Sequence, residues 1–400
     1  MIANKAQKYF DRSVTAITEG KHERGRKWLK IAGFYGYPMG LIHYQQAIVA
    51  LEQLNLTDAL RLFHSYMSLT HSIDENVYYY LGEIYYLLGN KDEACRYFKK
   101  SFERASNLLI QCKSLVYLDK LNFYSSEKVN QLTEHKFDYL LSIESHDMDQ
   151  KRIDALMASL RGDYNRSIDL LTELIEEKPN VRELYKELCE CYLRSKRYSA
   201  ILDLLQDKTW LYKSDKTLLF PLAKAYYLSN LFSEARQALL FLIKALPGNA
   251  KLYFNLGNIY YKLKQYNRSS KCYMKALQSD PQLYICHYNI GVLYHKTGIL
   301  DLGEEYYHKV FDTDHLYYSV HYNLGVLYYQ KKQYFDSLNA FQTADQINRQ
   351  DGRARHNFDT IKSIKLIDPD TKVEQKVLSL VNIYLIVAVG LLLLLFIFFR

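Results

Sequence analysis

A five-residue pattern recurs three times: residues 256–260 read LGNIY, residues 290–294 read IGVLY and residues 324–328 read LGVLY. The glycines of successive copies, Gly257, Gly291 and Gly325, are evenly spaced. Self-similarity at a period of about 34 residues is typical of stacked helix–turn–helix units and not of a closed globule. The pattern therefore predicts an all-α chain in which each repeat has a first helix, a short turn and a second helix.

Glycine inside a helix needs a packing reason, because it costs about 1 kcal/mol relative to alanine. Gly257, Gly291 and Gly325 all fall inside predicted first helices. We expect the missing side chain to let the second helix cross closely. Second-helix residues such as Tyr273 and Ala276 would supply the bulk and the small contact of that crossing.

These positions resemble the tetratricopeptide repeat (TPR), a unit of about 34 residues with aromatic, Leu-Gly, Tyr, Ala, aromatic, Ala and Pro positions in that order. In the first copy they are filled by Tyr253, Leu256, Gly257, Tyr260, Ser269, Tyr273, Ala276 and Pro281. The later copies depart mildly, since His287 and His321 stand where the family often has Trp, and His315 and Arg349 replace the closing Pro. The resemblance implies a TPR superhelical solenoid.

The register extends toward the N-terminus through small residues at the same spacing, Ala155, Cys189 and Ala223. A separate copy comprises Tyr78, Leu81, Gly82, Tyr85, Ala94 and Phe98. Residues 25–38 resemble Sel1-like units, relatives of the TPR with Trp on the second helix. We predict five segments: residues 1–105 as N-terminal Sel1-like and TPR helical repeats, 106–149 as a degenerate helical repeat, 150–351 as the TPR array, 352–376 as a capping helix and linker, and 377–399 as a transmembrane helix.

The predicted transmembrane helix rests on residues 378–399, which carry no charged side chain. A helix of that length spans about 33 Å, enough for a bilayer core. The alternative is a buried core helix, which would lack a covering partner at this end of the chain. We therefore expect a lipid bilayer as one partner.

Charges beside this segment predict its orientation. Lys362, Lys365, Lys372 and Lys376 precede it, and Arg400 alone follows it. The positive-inside rule places the repeats in the cytosol, on a single-pass membrane protein. One residue beyond the span resembles tail-anchored proteins, and the first residues lack the apolar core of a secretory signal.

Composition and motifs exclude several classes of function. The net charge of +8 is spread over interleaved acidic and basic residues, so we expect no nucleic-acid partner. The six cysteines are scattered and are expected to be small buried or half-buried thiols and not metal or disulfide sites. Phosphate-binding loops, zinc-protease motifs and nucleophile elbows are absent from the sequence, which predicts neither an enzyme nor a cofactor.

The predicted binding site is the inner face of the first helices. One asparagine per repeat precedes the Leu-Gly pair, and an amide can bond successive peptide groups of an extended ligand. This resembles the asparagine ladder of some TPR proteins, and aromatics beside it could grip side chains. The candidate residues are Asn255, Asn289, Asn323, Phe254, Tyr288, Tyr322, Asn258, Tyr261, His295 and Tyr329.

Two alternatives bear on this site. The asparagines could instead satisfy hydrogen bonds within or between repeats. A two-carboxylate clamp, another TPR site, would require Lys and Arg on this face, where Lys251 is the one clear match.

Repeats and anchor together predict a membrane-anchored scaffold that binds extended segments of partner proteins in its concave groove. The runner-up is a structural subunit of a membrane-bound enzyme or of a secretion or assembly complex. Such a subunit would pack permanently on one large partner and would bind no free peptide.

Overall fold

The structure is a computed structural model that describes residues 2–70, 74–125, 127–129, 131–132, 148–310 and 316–365. The regular elements in these ranges are helices, as the repeat period predicts. The chain divides into two compact units, Met1–Asp280 and Pro281–Arg400.

The first unit is a series of helix pairs in which consecutive helices pack together. Its helices are α1 Ile2–Thr18, α2 His22–Phe34, α3 Met39–Glu52, α4 Leu56–Leu69, α5 Asn76–Leu88, α6 Lys91–Arg104, α7 Leu108–Lys120, α8 Met148–Leu160, α9 Tyr164–Glu177, α10 Arg182–Arg194, α11 Tyr198–Asp207, α12 Thr209–Ser214, α13 Leu219–Leu228, α14 Phe232–Ala245, α15 Ala250–Lys262 and α16 Tyr266–Ser279. A short 3-10 turn, Lys216–Leu218, precedes α13.

The second unit contains α17 Tyr284–Lys296, α18 Leu300–His308, α19 Tyr317–Gln330, α20 Tyr334–Ile347 and α21 Arg353–Lys365. The last of these packs on α20 and buries Ala354 and Ile361. Helix α21 lies within residues 352–376, the segment predicted as a capping helix and linker.

Each repeat glycine makes room for an aromatic ring of the second helix. A Cβ added at Gly257 would lie 2.5 Å from Cε1 of Tyr273, closer than carbon atoms can approach. The same geometry recurs as Gly82 with Phe98, Gly291 with Tyr307 and Gly325 with Phe341. The expected packing reason is confirmed, and what fills the space is a fully buried ring.

The serine that replaces the family's alanine also has a partner. The Ser269 hydroxyl donates to the Gly257 carbonyl at 2.8 Å, and Ser337 donates to Gly325 in the same way at 2.7 Å. Both serines are fully buried, and a buried hydroxyl without a partner would destabilise the fold. This departure from the TPR pattern is therefore stabilised by a bond across the helix pair.

Within the first unit, helices that are far apart in sequence pack together. One apolar cluster joins Ala47–Leu87 of α3–α5 with Ala223–Ile259 of α13–α15. The Asn249 amide donates to the Leu87 carbonyl at 2.6 Å, and Gln53 donates to the Ser214 carbonyl at 2.8 Å. The first unit therefore also has contacts between repeats that are far apart in the sequence.

The described residues include no helix that is both long enough and apolar enough to cross a bilayer. The predicted transmembrane segment, residues 377–399, lies outside the described residues.

Candidate functional site

A cavity of about 560 Å³ opens inside the first unit. Residues of α5, α7, α8, α10, α13, α14 and α15 line it. The rings of Tyr79 and Tyr86 lie beside that of Tyr117 in the lining, which also includes Phe220 and Leu252. The cavity is thus largely apolar and aromatic, with charged groups at defined places, as ligand sites in proteins commonly are.

Helix α10 brings charges of both signs to this cavity. Lys186, Glu187 and Glu190 follow Glu183 by three, four and seven positions, so the four residues share one face of the helix. In the sequence this spacing looks like a solvated helix face, and we did not predict a site there. The sequence signal for this site is a set of charges of both signs that share one face of a helix predicted within the repeats.

Each of these charges has an oppositely charged partner on another helix or turn. Glu183 pairs with Lys113 at 2.6 Å and with Arg152 at 2.8 Å. Further pairs join Glu187 with Arg152 at 2.6 Å, Glu190 with Lys120 at 2.7 Å and Lys186 with Asp215 at 2.8 Å. The line of charges on α10 therefore ties α7, α8 and the turn before α13 to one helix.

The pKa directions agree with this pairing. Burial would raise the pKa of Glu183, but Lys113 and Arg152 outweigh it and hold the pKa below its usual range. Burial would lower the pKa of Lys186, but Asp215 and Glu83 raise it. Glu83 is the exception, because burial and the nearby Asp215 raise its pKa against the pull of Lys186.

Two lysines of the cavity lining differ from the paired ones. Lys224 on α13 and Lys251 on α15 are exposed and form no ion pair with any described residue. Asn255 is also exposed and lines the cavity, one helical turn beyond Lys251. Two uncompensated positive charges and one amide therefore face solvent here.

In the first unit, the predicted site residues have different surroundings. Asn255 lines the cavity, whereas Asn258 accepts a hydrogen bond at 2.7 Å from the Tyr273 hydroxyl. Phe254 is half-buried with its ring centroid 6.0 Å from that of Tyr273. Tyr261 lies beside Tyr266 at a centroid distance of 5.9 Å. Asn258 and Phe254 thus support the ring that covers Gly257.

In the second unit, two asparagines hydrogen-bond the preceding first helix. Asn323 donates to the Tyr288 hydroxyl at 3.1 Å, and Asn357 donates to the Tyr322 hydroxyl at 3.3 Å. Asn357 stands one repeat period beyond Asn323, so the period could have found it. Asn323 therefore forms a hydrogen bond between repeats, which is the alternative role that the sequence left open for these asparagines.

The remaining predicted residues of the second unit lie on α17 and α19. Asn289 is half-buried, and Tyr329 is exposed. His295 Nε2 lies 3.2 Å from Gln330 Oε1, and burial lowers the pKa of His295 despite this contact. The neutral imidazole is therefore favoured near neutral pH.

Two family models match the sequence at the helix pairs described above. One, described as tetratricopeptide repeat, covers residues 75–108 and thus α5 and α6. The other, described as TPR repeat, covers residues 257–298. Residues 75–108 and 257–298 match tetratricopeptide repeats. A Sel1-like unit at residues 25–38 stays a prediction.

Three solved structures that are similar to this chain share little sequence with it. YrrB, described as a TPR protein with an unusual peptide-binding site, covers 46% of this chain and 96% of its own at 20% identity and a TM-score of 0.38. Human IFIT1 with m7Gppp-AAAA covers 86% and 83% at 17% identity and 0.48. MamA covers 53% and 99% at 16% identity and 0.32. Identities and TM-scores this low carry no argument about what this chain binds. No curated protein matches the sequence.

Proposed function

We propose that this TPR protein binds an extended, acidic segment of a partner protein in the cavity of the first unit. The observation that carries the proposal is the pair of exposed lysines, Lys224 and Lys251, beside the exposed amide of Asn255. Aromatic walls would bury apolar side chains of the segment, and the amide would bond its backbone.

The paired charges of α10 explain why the occupant should be acidic. Glu183, Glu187 and Glu190 are each matched by a cation of a neighbouring helix, so they oppose an incoming carboxylate only weakly. Lys224 and Lys251 have no such match among the described residues. The field that a ligand meets is therefore set by these two lysines, and complementary charge raises both specificity and association rate.

Charge reversal at the two lysines tests this proposal. We expect short random peptides selected against the purified full-length chain to be enriched in Asp and Glu. Lys224→Glu with Lys251→Glu should weaken binding of a selected peptide by at least about tenfold, roughly 1.4 kcal/mol, because attraction becomes repulsion. Titration by fluorescence anisotropy gives the dissociation constants.

The matched control reverses two lysines that are also exposed but lie outside the cavity, Lys244→Glu with Lys271→Glu. It changes the net charge equally and should leave binding within about twofold. Selected peptides without acidic residues, or equal losses in both double variants, would contradict the proposal.

Asn255→Ala should weaken binding without lowering the melting temperature, whereas Asn323→Ala should lower that temperature because it removes the bond to Tyr288.

We also propose that residues 377–399 anchor this protein to a membrane, with the repeats on the cytosolic side. The support is the uncharged run at residues 378–399 and the lysines before it. The full-length chain should stay in the membrane pellet after carbonate extraction, and a chain that ends at Lys376 should be released. Retention of the shortened chain in that pellet would refute the anchor.

A further inference from the structure

The hairpin of α1 and α2 holds a local excess of positive charge. Residues 1–36 contain eight Lys or Arg and three Asp or Glu, in a chain whose net charge is +8. Lys21 and Arg26 pair with Glu19 and Glu23. The other six cations are exposed and have no carboxylate partner in the described ranges; they are Lys5, Lys8, Arg12, Arg24, Lys27 and Lys30.

Helix geometry groups three of these cations on one face of α1, because Lys5, Lys8 and Arg12 are three, four or seven positions apart. Lys8 and Arg12 line a shallow cleft together with Arg24 and Trp28 of α2, and Asp11 and Glu19 line the same cleft. The expectation that positive charge is spread thinly along the chain therefore fails for this hairpin.

An exposed apolar patch adjoins the basic face. Phe34 is 85% exposed, Leu69 55%, Met39 51% and Leu41 36%. A Cβ added at Gly33 would lie 3.8 Å from Met39 Sδ, and one at Gly40 would lie 3.6 Å from Leu69 Cβ. The end of α2, the start of α3 and the end of α4 therefore meet, and each of them carries an exposed large apolar side chain.

The aromatic rings of the basic face are already stacked. Tyr9 lies between Trp28, at 5.4 Å and 18°, and Tyr35, at 5.6 Å and 10°. The Arg12 guanidinium lies over the rings of both Tyr9 and Trp28, at 5.9 and 5.4 Å. Single-stranded nucleic acid needs open ring faces on which bases stack, and these rings are covered. Their arrangement argues against a nucleic-acid site.

We propose that this basic and apolar surface of α1–α4 docks on an anionic lipid bilayer. Its cations would attract anionic headgroups, and Phe34, Met39, Leu41 and Leu69 would enter the boundary between headgroups and acyl chains. Basic residues beside exposed apolar ones are the chemistry of interfacial membrane contact. The contact is distinct from the anchor at residues 377–399 and from the peptide cavity, and it does not rest on either.

A dye at position 34 of the full-length chain tests the contact. Phe34→Cys accepts an environment-sensitive label, because the six native cysteines are buried. With vesicles of phosphatidylcholine and phosphatidylserine we expect a blue shift and a severalfold rise in emission, which high salt should reverse. Vesicles of phosphatidylcholine alone should leave the dye unchanged. A chain attached only through residues 377–399 would float with both vesicle types without any change in the dye.

Two charge-reversal variants with the same net charge separate this surface from general electrostatics. Lys8→Glu, Lys27→Glu and Lys30→Glu together should abolish the dye response while the circular dichroism of the chain is retained. Lys91→Glu, Lys244→Glu and Lys271→Glu, at exposed lysines elsewhere in the unit, should preserve it. Equal loss in both variants, or no dependence on phosphatidylserine, overturns the proposal. The proposal is also overturned if the dye does not respond to vesicles while the chain binds single-stranded RNA and the variant with Lys8→Glu, Lys27→Glu and Lys30→Glu loses that RNA binding.

Discussion

Arg152→Met is expected to lower the free energy of unfolding by about 3–5 kcal/mol, the usual loss when one partner of a buried ion pair is removed. The Arg152 side chain is 6% exposed, and it donates to both oxygens of Glu187 and to Glu183. Without it, Glu187, whose side chain is 13% exposed, loses its ion-pair partner. Urea unfolding followed by tryptophan fluorescence measures the loss, since Trp28 and Trp210 both lie in the first unit.

The double variant Arg152→Met with Glu187→Leu tests whether the loss comes from leaving Glu187 without its partner. Replacing a whole buried ion pair by apolar residues is often nearly neutral, so the double variant should be clearly more stable than Arg152→Met alone. Arg26→Met removes an exposed pair with Glu23 and should cost at most about 1 kcal/mol. If Arg152→Met loses no more than Arg26→Met, the pairing on α10 contributes nothing to stability.

Gly257→Ala should destabilise the first unit by about 1–3 kcal/mol, because the new methyl group would overlap the Tyr273 ring. This ring is 2% exposed, and its hydroxyl is held by Asn258, so it cannot move aside easily. The urea unfolding midpoint, again read from tryptophan fluorescence, reports the change.

Gly248→Ala is the matched control in the same unit. An added Cβ there meets no atom within 4 Å. It should stabilise by about 0.4–1 kcal/mol, because alanine reduces the freedom of the unfolded chain. If Gly257→Ala and Gly248→Ala shift the unfolding midpoint in the same direction, the packing of the Tyr273 ring does not depend on glycine at position 257.

The repeat period was enough to predict the helix pairs, because the residues that pack the two helices of a pair together recur in each repeat. Gly257 needed a packing reason, and the sequence already contained Tyr273 at the position that supplies it. Residues 352–376 were predicted as a capping helix and linker from their place after the last repeat, and α21 lies within them.

The cavity could not be predicted in the same way. It depends on contacts between α10 and helices that are distant in sequence, such as the ion pair of Glu183 with Lys113 at 2.6 Å, both of which line the cavity. A repeat period contains no information about which distant repeats meet. For that reason the sequence placed the site on the asparagines of the C-terminal repeats, of which Asn255 lines this cavity and Asn323 bonds Tyr288.

The bond between Asn249 and the Leu87 carbonyl also limits how this protein can evolve. Its partners are far apart in the sequence, and the apolar cluster around them joins the same two parts of the chain. Open repeat arrays change length readily, since a duplicated or deleted unit disturbs only its two junctions. Here a duplication between α5 and α15 would separate groups that must meet. Homologues should therefore keep the number of repeats in this part of the chain, even where their sequences have diverged widely.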